Sequence, residues 1–500
     1  MPVPIRPSLF VVLIFAVLGS AKPTAAQSSY WLFESGPTRP LALSSDGTRL
    51  YAVNTPDSHL EVYDVSGEAP VYLTSVPVGL EPVAVALRSD REAWVVNHLS
   101  DSVSIVDLAA SPPRTVRTLL VGDAPTDAVF AGSGRGRAFV ATARRGQNTD
   151  DPRGAYDTPG VGRASIWVFD AANPGSGLRP APIAVLTLFT DRPRALAASP
   201  DGGTVYAAGF FTGNRTTALH EGHICDGPTR IPCEVLAGQA PGGLPEPRRN
   251  AEGVSGPPVG LIVGFDRISG RWLDELARDW SAFVRFSLPD LDVFRIDADA
   301  PVPSVIAPIS DVGTVLFAMA VHPQNGRLYV ANTEANNRVR FEGPGRFVRE
   351  NGLKPPGEPA SVRGHLHEAR VTVIDGNTAT PRHLNRHLDY DAAPQPASAR
   401  ERSIAQPVGL AVSSDGQRLY VAAFGSGTVA VLPTAALEAG TYVPSTSDHV
   451  AVTGGGPTGL VLEAPAVRMP VGSGMEVPRS GSQPGEAVGS RVAAPCVVSA

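Results

Sequence analysis

Four histidines stand in pairs whose spacing could bring two imidazoles to one metal ion. His365 and His367 have one residue between them, which places both side chains on the same side of an extended segment. His220 and His223 are followed by Cys225, and imidazole and thiolate groups suit a transition metal. The sequence therefore gives these four histidines as candidate metal ligands. The alternative is that exposed loops simply contain polar residues, because neither spacing is that of a recognised metal site.

The start of the chain has the pattern of a secretory signal. Arg6 precedes an unbroken apolar run from Leu9 to Leu18, and small residues follow as far as Ala26. The run is too short for a membrane-spanning helix, which needs about 20 apolar residues. We therefore expect residues 1–26 to be a signal peptide and the mature protein to be soluble in the periplasm or secreted, with no membrane span.

Three cysteines in an exported chain suggest one disulfide and one leftover thiol. Cys225 and Cys233 are the natural pair, since they would close a small loop, and Cys496 is left over.

Other chemical signatures are missing from the sequence. It has no Gly-x-Ser-x-Gly nucleophile motif, no phosphate-binding glycine loop, and no Cys-x-x-Cys-His motif for covalent haem. His383 and His387 would align on a helix, but Pro381 favours an irregular outer loop equally well. The formal net charge is -6 and no basic cluster is present, so we expect no nucleic-acid partner. A monomer is expected.

The elements that must position these residues repeat along the chain. Six short apolar segments carry an aromatic residue in second place: Leu50–Asn54, Ala93–Asn97, Ala138–Thr142, Val205–Gly209, Leu328–Asn332 and Leu419–Ala423. Before four of them lies a turn pair: Asp46-Gly47, Asp201-Gly202, Asn325-Gly326 and Asp415-Gly416. After them, a further apolar run ends in five cases on Asp: Asp64, Asp107, Asp170, Asp266 and Asp375.

These repeats predict an all-β fold, a seven-bladed β-propeller of four-stranded antiparallel blades. The periodic Asp residues are expected to accept hydrogen bonds from backbone N–H groups in turns rather than to be catalytic. A seventh unit opens at Gly456 and breaks off, so the seventh blade should be incomplete or irregular, with Ser29–Phe33 as a candidate outer strand. The domain boundaries expected are a propeller over 27–463 and a disordered tail over 464–500. That tail is either genuine or the product of a truncated or frame-shifted gene.

Three consecutive blades carry long insertions. The stretch from the aromatic residue to the closing Asp is equally short in blades one and two, and more than twice as long in Phe139–Asp170, Tyr206–Asp266 and Tyr329–Asp375. All three insertions fall between the second and third strands, whose connections emerge on one face of a propeller. Insertions collected on one face commonly mark the binding face.

The segment Gly326–Asn332 and its counterparts at Tyr51 and Tyr420 resemble the YVTN family of β-propeller repeats. The resemblance covers about residues 38–462 and implies a ring of usually seven blades. Arg338–Gly345 and Arg363–His367 look like parts of large exported bacterial proteins in which a propeller precedes a c-type cytochrome, peroxidase-like domain. That domain is missing from this sequence, which fits a C-terminally truncated relative.

Two functions remain open on the sequence. The first is an exported, non-enzymatic propeller that binds a protein or polysaccharide of the cell envelope through its insertions. The second is a metal- or cofactor-dependent enzyme, either a lactonase-like hydrolase or a redox module that works with a separate c-type cytochrome.

Overall fold

The computed structural model describes residues 35–67, 69–146, 162–219, 261–274, 277–285, 290–335, 367–389, 395–452, 456–463 and 496–499. Within them almost all regular structure is β-strand. The α-helices in this part of the chain are short: α1 (Ala397–Glu401) and α2 (Thr434–Ala439). No helix among these residues is long and apolar enough to cross a bilayer.

Six sheets share one plan, in which four strands pair antiparallel in the order they follow along the chain. Blade one consists of β1 (Leu41–Leu43), β2 (Arg49–Asn54), β3 (His59–Asp64) and β4 (Val71–Pro77). Blade two consists of β5 (Pro82–Ser89), β6 (Glu92–Asn97), β7 (Ser102–Asp107) and β8 (Arg114–Leu120). Blade three consists of β9 (Asp123–Ala131), β10 (Arg137–Ala143), β11 (Ala164–Asp170) and β12 (Ala184–Leu188).

Blade four contains a second sheet between its strands. The blade itself consists of β13 (Pro193–Ala198), β14 (Thr204–Gly209), β18 (Val293–Asp297) and β19 (Ser304–Ile309). Between β14 and β18 lies a three-stranded sheet, the insert sheet, made of β15 (Thr216–Leu219), β16 (Leu261–Asp266) and β17 (Arg271–Leu273).

The remaining blades follow the common plan until the last. Blade five consists of β20 (Val315–Val321), β21 (Leu328–Ala335), β22 (His367–Asp375) and β23 (Thr378–His383). Blade six consists of β24 (Pro407–Val412), β25 (Arg418–Ala423), β26 (Thr428–Pro433) and β27 (His449–Ala451). The seventh unit has β28 (Leu460–Glu463), which pairs parallel with β29 (Cys496–Ser499).

The first strands of the sheets form a closed ring. Each of β1, β5, β9, β13, β20 and β24 contacts the first strand of the next unit, and β28 contacts both β24 and β1. The fold is therefore a seven-bladed β-propeller whose seventh blade is irregular, as the repeats predict. Cys496–Ser499 forms a strand within the tail for which no order was expected, whereas 464–495 and the candidate outer strand Ser29–Phe33 lie outside the described residues.

The core is divided into layers between neighbouring blades. The second-strand aromatics Trp94, Phe139 and Tyr329 are fully buried, because both faces of each blade pack against another sheet. The layer between the seventh and first units contains Val461 packed against Leu41 and Leu50. Every layer of the ring, including the one that closes it, is therefore filled by apolar side chains.

The turns confirm the roles predicted for the repeated Gly and Asp residues. Gly47, Gly202, Gly326 and Gly416 have φ between 69° and 76°, which residues with a Cβ rarely adopt. The carboxylates of Asp64, Asp107, Asp170 and Asp266 accept hydrogen bonds from backbone N–H groups two residues on, at 2.8–3.3 Å. Asp375 differs, since it accepts a hydrogen bond from Arg327 Nε at 3.0 Å.

One strand assignment from the sequence is wrong. Leu261–Asp266 was expected to be the third strand of blade four, but it is β16 of the insert sheet and pairs with β15. The third strand is Val293–Asp297, which pairs with β14 and ends on Asp297, an acceptor for Asp299 N at 3.0 Å. The insertion of blade four is therefore longer than the sequence pattern indicates.

Candidate functional site

The insert-bearing face is the face on which second strands end and third strands begin. Because first and second strands are antiparallel, the residues that lead into the first strands lie on this same face. Arg192 precedes β13, and His98, Arg145 and Phe210 follow second strands. These four residues therefore gather around the upper end of the central channel, which we call the channel mouth.

The insert sheet has a small core of its own. Leu219, Leu261, Val263 and Trp280 form one buried cluster. The Trp280 indole N–H donates to Asp274 Oδ2 at 2.9 Å, and Arg278 binds the same oxygen at 2.6 Å. The sheet is thus a folded unit on the insert-bearing face.

A group of ion pairs, the latch, holds the insert sheet against the ring. Arg215, at the start of β15, lies 2.5 Å from Asp290 and 2.5 Å from Asp311. Arg267, which follows β16, lies 2.5 Å from Asp311. Burial raises the pKa of Asp290 despite the neighbouring Arg215. Because Asp290 and Asp311 flank blade four's last two strands, the latch joins insertion and blade.

The connection from blade four to the insert sheet is fixed as well. Phe211 forms an antiparallel bridge with Val315 of blade five. Thr212 Oγ1 donates to Gly313 O, and the Asn214 side-chain amide donates to Ala335 O at 3.2 Å. The insertion therefore crosses the boundary between blades four and five.

Two arginines cross the channel below its mouth. Arg39 donates to both carboxylate oxygens of Asp127 at 2.9 Å and to Leu196 O at 2.6 Å. Arg194 donates to Pro37 O at 3.0 Å and to Phe317 O at 3.3 Å. These bonds connect the segment before blade one with blades three, four and five.

The Arg39–Asp127 pair is strongly anchored. Asp127 has no exposed surface and also accepts hydrogen bonds from Ala128 N at 2.9 Å and Leu196 N at 2.8 Å. Burial acts to lower the pKa of Arg39, but the Asp127 carboxylate outweighs it and raises that pKa. On the side of Arg39 away from the channel mouth lies a cavity of 830 Å³. The cavity reaches Arg135 and Asp201, on the face of the ring that carries the turns between first and second strands.

Above Arg39 lies a group of cationic and aromatic side chains, the Arg–Phe cluster, which includes the second of these arginines: Arg192, Arg194, Phe210, Phe211 and Phe317. The Arg192 guanidinium lies 5.3 Å from the Phe210 ring centroid and 5.6 Å from that of Phe211, and Arg194 lies 4.7 Å from Phe210. The Phe210 and Phe317 rings meet edge to face at 5.9 Å. Guanidinium groups stack in this way on aromatic faces.

Electrostatics at the mouth favour negative charge. Burial, with Arg192 adding repulsion, lowers the pKa of Arg194 to about 10. Burial is the main cause that lowers the pKa of His98, and the charges of Arg192 and Arg145 lower it further. The hydrogen bond of His98 to Pro125 O, at 3.0 Å, acts in the opposite direction. Burial and the neighbouring arginines therefore favour the neutral form of His98.

A second unusual carboxyl group lies under the latch. Asp292 is fully buried, and its Oδ2 accepts a hydrogen bond from Val312 N at 2.7 Å. Within the described part of the chain its Oδ1 has no hydrogen-bond partner. Burial is the main cause that raises the pKa of Asp292 to about 8. Because Asp292 is completely buried, its carboxyl group does not contact a dissolved substrate in this structure.

The described residues include one of the four candidate metal ligands, His367. His220, His223, His365 and both cysteines of the expected disulfide, Cys225 and Cys233, lie outside the described residues. His367 is exposed at the start of β22, opposite Ala335. Among the described residues no three His, Cys, Asp or Glu side chains form a metal-binding group.

The other histidines singled out by spacing have local partners. His383 ends β23, where its Nδ1 accepts a hydrogen bond from Asn385 N at 2.7 Å. His387 lies in the turn that follows, with its Nε2 2.9 Å from Ala399 O. The two residues therefore lie on a strand end and a turn, not on a helix.

Sequence reasoning missed the arginines of the channel. Arg39, Arg192 and Arg194 belong to no motif. Arg39 lies 157 residues from its acceptor Leu196, and Arg194 lies 123 residues from Phe317. Arg192 and Arg194 flank a Pro at the start of a first strand, but this pattern does not distinguish them from other arginines.

Only solved structures are similar to this chain in the comparisons with known proteins, and the alignments cover most of it. No protein-family model and no curated protein matches it. Among solved structures, hydrazine synthase of Kuenenia stuttgartiensis is 17% identical and aligns over 87% of this chain and 91% of its own, with a TM-score of 0.49. A putative 6-phosphogluconolactonase from Bacteroides uniformis is 15% identical over 82% and 84%, with a TM-score of 0.43. Another from Bacteroides fragilis is 11% identical over 85% and 86%, with a TM-score of 0.44. The description of the fold therefore rests on the strand order of the chain itself.

Proposed function

We propose that this propeller is an exported binding protein, and that its insert-bearing face binds a protein or polysaccharide of the cell envelope. The observation that carries the proposal is the placement of the long insertions. They interrupt blades three, four and five at the same connection, and the one in blade four builds a sheet with its own core, which the latch holds. A rigid platform of this kind suits recognition better than a loose loop does.

The proposal includes where the protein works and what it is related to. The apolar run Leu9–Leu18 supports export, with the mature chain beginning at Gln27. N-terminal sequencing of the protein taken from its own cells tests this, since a retained Met1 would contradict it. We also propose membership of the YVTN-type repeat family, on the strength of Gly326–Asn332 and its counterparts.

The ladders suggest how to remove each insertion. Ala208 pairs with Val293, Ala335 with His367 and Ala143 with Ala164. Each pair can be joined by a two-residue Asn-Gly turn, which suits an antiparallel hairpin. The three trimmed proteins should therefore keep the ring intact, which circular dichroism and thermal unfolding would verify.

The experiment is capture of partners from envelope extract by the immobilised protein. We expect at least one trimmed variant to lose the captured partner, which mass spectrometry or sugar analysis then identifies. The control is Arg91→Ala, an exposed residue of a first-to-second-strand turn on the opposite face. Unchanged capture by all three trimmed proteins would refute the proposal.

The enzymatic alternative predicts a different result. Stoichiometric copper, zinc or iron in the purified mature chain, lost on His365→Ala with His367→Ala, would favour a metal-dependent enzyme. Metal analysis of both proteins therefore separates the two functions.

A further inference from the structure

Among the described residues Arg192 is held at the channel mouth without an ion pair, although the charge of its neighbour Asp191 acts on it. It is half-buried and stacked on Phe210 and Phe211. Within the described part of the chain its guanidinium takes part in no hydrogen bond or ion pair. Stacking on aromatic faces leaves the in-plane N–H groups at the edge of the guanidinium, where a planar carboxylate can accept two of them.

The charges around Arg192 also favour binding of an anion. Arg194 lies against Phe210 as well, and its N–H groups bind two uncharged carbonyls rather than a carboxylate. Asp127, the buried acid nearby, is already paired with Arg39. Burial lowers the pKa of Arg192, and Arg145 adds to the effect, while Asp191 opposes it. A bound anion would relieve this repulsion.

The mouth also suits a ligand with a ring and hydroxyl groups. The Phe211 side chain beside Arg192 is 48% exposed, although it is large and apolar, and a pyranose can lay its C–H face on such a ring. Asp191 is exposed next to Arg192 and can accept hydrogen bonds from hydroxyl groups. Its negative charge disfavours a doubly charged phosphate more than a singly charged carboxylate.

From these contacts we propose that the channel mouth binds a uronic acid residue of an acidic polysaccharide. The carboxylate pairs with the Arg192 guanidinium, and the sugar ring lies against Phe211. This inference rests on the proposed function and specifies its ligand. It needs only residues of the mouth, whereas the proposed function concerns the whole insert-bearing face.

The test is calorimetric titration of the full mature chain with trigalacturonate. We expect binding, and a loss of affinity of about tenfold or more in Arg192→Gln. Arg192→Lys should also weaken binding, because Lys cannot donate in a bidentate fashion. Phe211→Ser should weaken it as well, by removal of the ring. A matched control is Arg135→Gln, since Arg135 lies over the Phe130 ring at 6.0 Å and is exposed on the opposite face.

Two further readouts separate charge from structure. Fully methyl-esterified trigalacturonate has the same rings without the charges, and we expect it to bind at least about tenfold more weakly. In the trigalacturonate complex the pKa of His98 should rise, as followed by NMR. Burial is the main cause that lowers this pKa, and a carboxylate beside Arg192 would offset the part that comes from repulsion by Arg192.

Several results would overturn the inference. They are equal binding of the ester, unchanged affinity in Arg192→Gln, binding of inorganic phosphate in place of the sugar, or Arg192-dependent capture of a protein that trigalacturonate does not displace. The proposed function fails separately, if the trimmed variants keep their envelope partner. Each proposal can therefore fail while the other stands.

Discussion

Replacing Asp127 by Asn tests whether one buried ion pair holds the ring closed. Arg39 comes from the segment before blade one, and Asp127 from the first strand of blade three. Thr38 N and Arg39 N also donate to Val83 O, so this segment runs beside blade two. The amide of Asn keeps the size of the side chain but removes its charge. Arg39 would then lie in the channel without a counter-ion.

The size of the effect follows from burial. Loss of one partner of a fully buried pair costs about 3–5 kcal/mol. Arg39 keeps 37% of its side-chain surface accessible because the channel is open to solvent, while Asp127 has none. Solvent screening therefore reduces the expected loss in free energy of unfolding to about 2–3 kcal/mol.

The assay is urea unfolding followed by tryptophan fluorescence, with the single variants Asp127→Asn and Arg39→Gln and the double variant. We expect the double variant to be less destabilised than the sum of the two, because the pair is removed as a unit. Hydrogen exchange should accelerate in β1 and β28, which meet at the closing layer.

The control for this experiment is Asp64→Asn. Its pair with Arg49, at 2.6 Å, has 28% of the Asp64 and 40% of the Arg49 side-chain surface exposed. A surface pair contributes little. If Asp127→Asn destabilises the protein no more than this control, or if the two single changes are additive, the pair does not hold the ring closed.

Three further predictions concern the buried carboxyl group of Asp292, the layer that closes the ring between the seventh and first units, and the latch. Asp292 has a pKa of about 8, above the value of about 3.9 in an unfolded chain. Folding therefore favours its protonated form, and the free energy of unfolding should decrease as pH rises from about 4 to 8. In Asp292→Asn the midpoint of urea unfolding should depend less steeply on pH than in the wild type. Equal pH dependence in the two proteins would contradict this. Gly459→Ala should lower the melting temperature, because its Cβ would lie 2.6 Å from Pro40, whereas Gly36→Ala meets no atom within 4 Å and should not. Arg215→Gln should make the insert sheet sensitive to trypsin in limited proteolysis while the blades stay resistant, and Arg271→Gln, in an exposed pair 3.5 Å from Asp279, should have no such effect.

The ring could be predicted because each blade repeats the same local pattern. An apolar first strand, a Gly turn and an aromatic second strand specify a blade without knowledge of its neighbours. The same locality explains the error in blade four. Leu261–Asp266 has the apolar run and closing Asp of a third strand, and Asp266 makes the expected turn bonds. Which strand it pairs with depends on contacts that a local pattern does not contain.

The channel mouth could not be predicted for a related reason. Arg192 and Phe210 meet only because β13 and β14 form a hairpin at the axis, and Phe317 joins them from the next blade. Arginine next to proline at the start of a strand has no distinctive meaning in the sequence. Histidine spacing attracted attention because metal sites have recognisable patterns, whereas a stacked guanidinium has none.

The way in which the insertions leave the blades has a consequence for evolution. Each departs and returns at residues that face each other across a hairpin, as Ala208 and Val293 do in blade four. Lengthening such a connection adds only the slow logarithmic entropy of loop closure and disturbs no strand pairing. Binding specificity can therefore change by exchange of these inserted segments alone, while the ring of blades is inherited unchanged.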